Sequence, residues 1–235
     1  MKKFTFISVL FILMSIVASA QQVKNFTVSA GQSFVDVLSH DELFRYPKFI
    51  KGITVYKDGT TTSEKMNYNF VQGEMMFLNS RNDTLVITKK DAISQIILAE
   101  DTFYVSNGYY EQIAGNKTVM LLVHKYIKLV NVKKEGAYGT SNSTGSVDSY
   151  SSLSANNNSA TLKLKVSEDM DFAIMTDFYF SKKSKEFVLA RKNSILKLCP
   201  EKDEMIKEFI KSQSIRFNEK DDLIKLTEFL KNTLK

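Results

Sequence analysis

Large apolar side chains alternate with polar ones through the central part of the chain. In MNYNF, residues 66–70, the methionine, tyrosine and phenylalanine fall on one side of an extended chain and the two asparagines on the other. This period of two is typical of a strand with one buried face. Similar runs, rich in Val, Ile, Thr, Tyr and Phe, continue to residue 133, and turn sequences such as Asp58-Gly59 separate them. Asp-Gly between such runs indicates a tight hairpin, so the pattern predicts an antiparallel meander.

The spacing of apolar residues changes near the C-terminus from every second position to every third or fourth. The segment PEKDEMIKEFIKSQ, residues 200–213, begins with a proline suited to the first helical position and carries acids in its first turn. Its expected apolar stripe consists of Met205, Ile206, Phe209 and Ile210. Residues 219–235 follow Asn218, a typical N-cap, and align four leucines. The pattern predicts two amphipathic helices that pack on each other and on the sheet.

Together these patterns predict an α+β protein that is mainly β. We expect residues 21–198 to form one antiparallel β domain, either a curved sheet or a sandwich-like arrangement, and residues 199–235 to form a helical pair packed on it. Segment 34–49 fits neither period clearly, and Pro47 would end whatever element precedes it.

Residues 136–159 differ in composition from the rest of the predicted β domain. Of these 24 residues, 17 are Gly, Ser, Thr or Asn, which predicts a flexible loop inserted between two strands. One interpretation is a surface loop with no contacts of its own. The other is a contact loop whose Tyr138 and Tyr150 touch a ligand or partner, since long loops in compact domains are often functional.

The first twenty residues have the pattern of a cleavable export signal. Lys2 and Lys3 precede a short apolar run that ends in small residues at Ala18 and Ala20, which predicts cleavage before Gln21. Because no cysteine follows the apolar run, we do not expect a lipoprotein. The sequence therefore predicts an exported protein in the periplasm, outside the cell or associated with the outer membrane, with no transmembrane segment after cleavage.

Charge and cysteine content exclude several classes of function. The signal carries two of the six net positive charges, which leaves about +4 on the 215 residues that remain after 20 of the 235 are removed. These charges are dispersed, whereas nucleic-acid binding calls for a basic stripe, so we expect no nucleic-acid partner. Cys199 is the single cysteine, so the chain can form neither an internal disulfide nor a cysteine-based zinc site.

Histidine content limits the catalytic possibilities. His40 and His124 are the only two histidines. His40 lies in SHDE, where neighbours in sequence do not face one another as a catalytic triad requires, and a cap or turn is the simpler interpretation. His124 follows VMLLV in a predicted strand, where it would belong to the polar face. We therefore predict no catalytic, metal-binding or cofactor-binding residues and no cofactor.

Tyrosines and phenylalanines are the feature of this sequence that points to a binding surface. They crowd several predicted strands, and both faces of a sheet can be buried only if something covers the second face. Either the terminal helices cover it, or the sheet curls around an apolar groove suited to a lipid or a hydrophobic peptide. The candidate contact residues, including the two in the loop, are Tyr104, Tyr109, Tyr110, Tyr126, Tyr138 and Tyr150.

Several short motifs carry a resemblance to a protein group. A strand entry of the form G-x-V-x-x-x-D-G corresponds to 52–59, an L-N-Y-N strand to 66–69, a G-E-M-x-F strand to 73–77 and a D-T-L turn to 83–85. With these motifs and the closing segment 189–230, the chain resembles a group of uncharacterised exported proteins of Bacteroidota. Met66 replaces the leucine expected in the second motif, and Thr54 stands where the first motif has valine. The resemblance implies export and this chain organisation, and it implies no activity.

Two main hypotheses for the function follow from the sequence. The first is a non-catalytic interaction module of the cell envelope, whose exposed sheet edge, tyrosines or Ser/Asn-rich loop contact another macromolecule. The alternative is a carrier or sensor of an apolar ligand held between a curved sheet and its helices, and a hydrolase ranks third. A continuous apolar cavity of several hundred Å³ would favour the carrier, whereas a filled core with an exposed apolar strip would favour the module.

Overall fold

A computed structural model describes residues 23–135, 141–143, 165–183 and 186–234 of the protein. The predicted signal peptide, Tyr138, Tyr150 and most of the Ser/Asn-rich loop lie outside these residues. Within them, one antiparallel sheet dominates the fold. Its strands are β1 (Lys24–Val28), β2 (Ile50–Tyr56), β3 (Thr61–Asn69), β4 (Glu74–Leu78), β5 (Thr84–Val86), β6 (Ile93–Leu98), β7 (Asp101–Val105), β8 (Tyr109–Gly115), β9 (Val119–Glu135), β10 (Ser141–Ser143), β11 (Asp169–Lys182) and β12 (Phe187–Leu189).

Helices occur at both ends of the described chain. Two one-turn helices precede β2, and three helices follow β12. They are α1 (Phe34–Val37), α2 (His40–Leu43), α3 (Lys192–Leu198), α4 (Asp203–Ser212) and α5 (Lys220–Thr233). The structure thus confirms the predicted class, a mainly β protein with an antiparallel curved sheet followed by C-terminal helices. No helix among the described residues has both the length and the apolar character needed to cross a membrane.

The sheet runs in the order β1-β11-β9-β8-β7-β6-β2-β3-β4-β5, with β10 paired to β9 and β12 paired to β11. Strands β9 and β3 are separated by four strands in this order, yet they meet. The amide of Ile127 in β9 donates to the carbonyl oxygen of Phe70 at 2.9 Å, immediately after β3. The Tyr68 hydroxyl donates to the Lys125 carbonyl oxygen at 3.1 Å. The sheet therefore curls over its own inner face.

Residues directly opposite one another on neighbouring strands share a face of the sheet, which identifies the inner face across β7 to β11. Phe103 pairs with Glu111, Glu111 with Val123, and Val123 with Phe178. Phe103 packs inside the curled half of the sheet, whereas Val123 and Phe178 pack under the helices. One continuous inner face is thus covered partly by the curled sheet and partly by α3–α5.

The inner face is filled where the sheet curls. The fully or almost fully buried side chains there come from β3, β4, β6, β7 and β8, and they are Met66, Tyr68, Met75, Ile93, Ile96, Leu98, Phe103 and Tyr109. Methionines can adapt their shape to gaps between rings, which suits this strongly bent region. A third cluster packs α1 and α2 against β9 and β11 through residues such as Phe34 and Phe172.

The C-terminal helices cover the inner face as their apolar spacing predicts. Ile206 and Ile210 of α4 and three leucines of α5 are buried in one cluster. Phe209 and Phe229 join the two helices with ring centroids 4.1 Å apart and nearly parallel planes. Met205 was expected on the same stripe but is 48% exposed. It lies at the margin of the stripe, where one helical step of about 100° turns a side chain toward solvent.

Helix boundaries in the structure differ from the sequence prediction, and the unassigned segment is now defined. The helical part begins with α3 at Lys192 and not at Cys199; the N-cap of α3 is Arg191, which lacks the usual capping side chain, so its start carried no signal. The N-cap of α5 is Glu219, one residue after the predicted Asn218. Segment 34–49, which matched neither period, contains the one-turn helices α1 and α2.

Candidate functional site

An aromatic strip lies on the outer face of the sheet. It consists of six side chains from β7, β8, β9, β11 and β12, namely Tyr104, Tyr110, His124, Tyr126, Tyr179 and Phe187. Their rings form a continuous chain of contacts. Tyr110 lies at the centre of this strip, with ring centroids 4.9 Å from Phe187, 5.0 Å from Tyr179 and 5.1 Å from His124.

The two ends of the strip are its more accessible parts. Tyr110 is only 5% exposed because its neighbours surround it. Tyr104 lies at one end, 6.5 Å from Phe187, and both side chains are half-buried. Tyr126 lies at the other end, stacked on His124 at 4.8 Å, with its hydroxyl donating to Asp177 at 3.1 Å. A partner would therefore meet the end rings and the edges of the central ones.

Burial and Asp177 keep the tyrosine hydroxyls of the strip protonated. Burial, together with the negative charges of Asp177 and the neighbouring phenols, raises the pKa of Tyr126 to about 12. The pKa of Tyr110 is also raised to about 12, again chiefly by burial. The hydroxyl of Tyr126 donates its hydrogen to Asp177 and that of Tyr110 donates to Asn107, so each oxygen can accept a hydrogen bond from a partner. The strip can thus offer apolar ring surface and hydroxyl groups to the same partner.

His124 is held inside the strip. Its Nδ1 lies 2.9 Å from the carbonyl oxygen of Tyr109, and a carbonyl can only accept, so Nδ1 carries the hydrogen. Burial lowers the pKa of His124 more strongly than this hydrogen bond and Asp177 raise it. The ring is therefore neutral near pH 7, and it packs between Tyr110 and Tyr126.

A lysine-rich cleft continues from the Tyr104 end of the strip. It has a volume of about 850 Å³, and Tyr104 and Phe187 belong to both the strip and the cleft. Four lysines from four separate connections between strands line it, together with a single acid, Asp91; the lysines are Lys57, Lys90, Lys117 and Lys183. We call this feature the lysine cleft.

One of the four lysines is already neutralised within the protein. Lys90 forms an ion pair with Glu74, and its Nζ lies 5.6 Å from the centre of the Tyr109 ring. In the described part of the chain, Lys57, Lys117 and Lys183 make no ion pair with a carboxylate. The lysine cleft therefore has an excess of positive charge that can attract an anionic group.

The structure brings together only some of the tyrosines that the sequence suggested. Tyr104, Tyr110 and Tyr126 lie in the strip. Tyr109 does not, since it is 1% exposed and points to the inner face. This corrects the prediction, and the reason is that successive side chains of a strand point to opposite faces, so Tyr109 and Tyr110 cannot share one surface. Tyr138 and Tyr150 lie outside the described residues.

His40 has a local structural role. It is the first residue of α2, where Ser39 and Glu42 form a capping box, and its ring contacts that of Phe44 at 5.1 Å. This agrees with the interpretation of SHDE as a cap. His40 takes no part in the aromatic strip or the lysine cleft.

Sequence reasoning missed part of the site. Tyr179 could have been assigned to the outer face from its alternation with Phe178 and Phe180. Phe187 gave no such signal, because β12 is only three residues long. The lysines of the cleft lie up to 126 positions apart, as the positions of Lys57 and Lys183 show, and only the fold brings them together.

No protein family model matches the chain, and no curated protein or solved structure is significantly similar to it.

Proposed function

We propose that this protein is an exported, non-catalytic interaction module of the cell envelope, and that it binds an acidic protein partner through the aromatic strip and the lysine cleft. The observation that carries the proposal is the continuity of these two surfaces through Tyr104 and Phe187. Export rests on the N-terminal sequence pattern, which the described residues do not include.

The chemistry of the surface supports a protein partner. Tyrosine is enriched where interfaces gain most of their binding free energy, because it buries a large apolar ring and still forms a hydrogen bond. Lysines at the margin of an interface mainly increase the association rate and discriminate between partners by charge. An acidic segment with neighbouring apolar residues would complement both surfaces. We expect its acidic groups in the lysine cleft and its apolar groups on the strip.

The filled curled half of the sheet supports the module over a carrier that would hold its ligand inside the curl. The curled half of the sheet is occupied by large side chains, of which Met75, Ile96 and Leu98 have no measurable exposure. An apolar ligand inside the curl would have to displace this packing, and disruption of a well-packed core costs about 1–3 kcal/mol or more. The apolar groups that remain accessible at the strip lie on the opposite face of the sheet.

The histidine environments support a non-catalytic role. The Nδ1 hydrogen of His124 is used by the Tyr109 carbonyl, and its ring is enclosed by tyrosines. A strain that lacks the gene should therefore be rescued equally well by the wild-type protein, by His40→Ala and by His124→Phe, which removes the imidazole and keeps an aromatic ring at this position of the strip. A variant that is exported and folded but fails to rescue would contradict this part of the proposal.

Affinity capture from the native envelope tests the surface itself. The double variant Tyr104→Ser/Phe187→Ser removes apolar area at the junction of the strip and the cleft. Met205→Ser is the matched control, since it removes an exposed apolar side chain from α4 on the other side of the sheet. We expect mass spectrometry to identify a protein that the wild type and the control retain and the double variant loses. Thermal unfolding would verify that all three proteins are folded.

A separate pair of variants tests how much the positive charge of the lysine cleft contributes to partner binding. Lys57→Gln/Lys117→Gln removes two charges from the lysine cleft, and Lys192→Gln/Lys211→Gln removes two exposed charges from the helices. With the captured partner purified, the first variant should bind more slowly and with less dependence on salt, while the second should match the wild type. Equal capture by all variants, or capture of acidic polysaccharide in place of a protein, would overturn the proposal.

A further inference from the structure

A second pocket, here called the inner pocket, lies on the inner face between the curled half of the sheet and α5. It has a volume of about 400 Å³ and is open to solvent on one side. Its apolar lining consists of Phe70, Ile113, Val123 and Phe178. Since Val123 and Phe178 point away from the aromatic strip, the inner pocket and the strip lie on opposite faces of the sheet.

One wall of the inner pocket is charged, with one guanidinium bound to two carboxylates. Arg45 donates two hydrogen bonds to the carboxylate of Glu111, both at 2.9 Å, and one to Asp101 at 3.0 Å. A guanidinium that holds a carboxylate through two parallel hydrogen bonds is a strong and directional pair. Arg45 and Glu111 therefore bind each other and form one rigid wall of the pocket.

Lys125 also lines the inner pocket, and no carboxylate among the described residues binds its ammonium group. It is half-buried, and its Nζ lies 4.3 Å from the centre of the Phe70 ring. Burial lowers the pKa of Lys125, although nearby carboxylates, Asp41 first, raise it again in part. A half-buried ammonium beside apolar side chains is a favourable place for a ligand anion.

The surroundings of Lys125 carry charges of both signs, and the carboxylates of Asp41, Glu42 and Glu111 act on its ammonium group. Lys220, at the start of α5, contributes a second positive charge, and Asp41 contributes one negative charge. Both side chains belong to exposed residues, where solvent screens their effect. The lining thus combines an apolar floor with one unpaired cation at moderate depth.

We propose that the inner pocket binds a small amphiphilic carboxylate, such as a medium-chain fatty acid, with its carboxylate at Lys125 and its chain along Phe70, Val123 and Phe178. Pockets of this size commonly hold small ligands through an apolar lining and a few polar groups that set the orientation. The chain gains about 0.8 kcal/mol for each methylene that it buries. The ion pair with Lys125 selects the anionic head group.

Isothermal titration calorimetry with sodium decanoate tests this site. Lys125→Met removes the charge and keeps much of the side-chain volume, and Lys125→Arg keeps the charge. Lys128→Met is the matched control, because Lys128 is exposed on the same strand and points to the outer face. We expect decanoate to bind the wild type, the arginine variant and the control, and to bind Lys125→Met at least about tenfold more weakly.

Two further probes separate the contributions of head and chain. Acetate has the carboxylate without the chain, and decyltrimethylammonium has the chain with a positive head; neither should bind measurably. Absence of decanoate binding, equal affinity for Lys125→Met, or equal binding of decyltrimethylammonium would overturn the proposal. The double variant Tyr104→Ser/Phe187→Ser should still bind decanoate, so this site and the proposed protein interface are tested independently.

Discussion

Arg45 joins the segment before β2 to two strands that it does not touch through the backbone. Its guanidinium holds Glu111 of β8 through two hydrogen bonds and Asp101 of β7 through a third, and Asp101 also accepts a 2.6 Å hydrogen bond from the hydroxyl of Tyr46. The side chain of Glu111 is only 15% exposed. One cation thus compensates two carboxylates on the inner face.

Arg45→Met should destabilise the fold by about 2 kcal/mol, because it leaves Glu111 and Asp101 without their cation. The value is lower than for a fully buried pair, since the Arg45 side chain is 34% exposed. Urea unfolding monitored by circular dichroism measures the change. Arg81→Met is the control, because the Arg81–Asp83 pair is solvent-exposed, and it should change stability by less than about 0.5 kcal/mol. Equal stabilities for the two variants would contradict this role of Arg45.

His124 should make the stability fall at acidic pH. Its pKa in the folded protein is lowered below the ordinary 6.5 by burial, so the unfolded chain binds a proton more readily than the folded chain below that pH. The free energy of unfolding therefore decreases as the pH falls from 7.5 through 6.5 to 5. His124→Gln, which can keep the hydrogen bond to the Tyr109 carbonyl, should show a smaller decrease. Parallel urea titrations at pH 7.5 and 5 measure the difference, and identical decreases would show that His124 does not contribute.

Gly115 should be among the positions least tolerant of a side chain. It has a φ of +91°, and a Cβ there would lie 2.2 Å from the carbonyl oxygen of Val119 and 3.0 Å from a methyl group of Thr227 in α5. We expect Gly115→Ala to cost at least about 3 kcal/mol, from backbone strain and steric overlap together. Gly31 has a similar φ of +83° with no atom near its Cβ position, so Gly31→Ala should cost only about 1 kcal/mol. Similar losses in thermal unfolding would mean that the Val119 backbone and the contact with α5 both shift at little cost.

Deletion of residues 136–159 should leave the thermal midpoint within about 4 °C of the wild-type value. In the described part of this segment, β10 pairs only with the end of β9, at residues 133–135. Lys133 and Asp169 face each other on β9 and β11, so residues 160–168 can still connect the two strands. Differential scanning calorimetry measures the midpoint. A decrease of more than about 10 °C would show that the segment contributes to the core.

Local patterns in the sequence predicted much of the framework. The alternation in residues 66–70 and the Asp58-Gly59 turn indicated β3 and its hairpin with β2, and the C-terminal leucines indicated α5. These features depend on neighbours within a few positions, so side-chain period and turn chemistry are sufficient to detect them. Strand β1 was missed, because its pairing with β11 joins residues as much as 150 positions apart, as Lys24 and Ile174 show, and local periodicity carries no information about such a partner.

The sequence by itself determined that this chain forms a mainly antiparallel sheet followed by amphipathic helices, since strand and helix periods are local properties. Only the tertiary structure decided which tyrosines share a surface and which lysines share a cleft. Tyr109 and Tyr110 are adjacent in sequence and lie on opposite faces, whereas Lys57 and Lys183 are distant in sequence and line one cleft. The curl of the sheet determines these relationships, and it arises from the combined twist and packing of many strands.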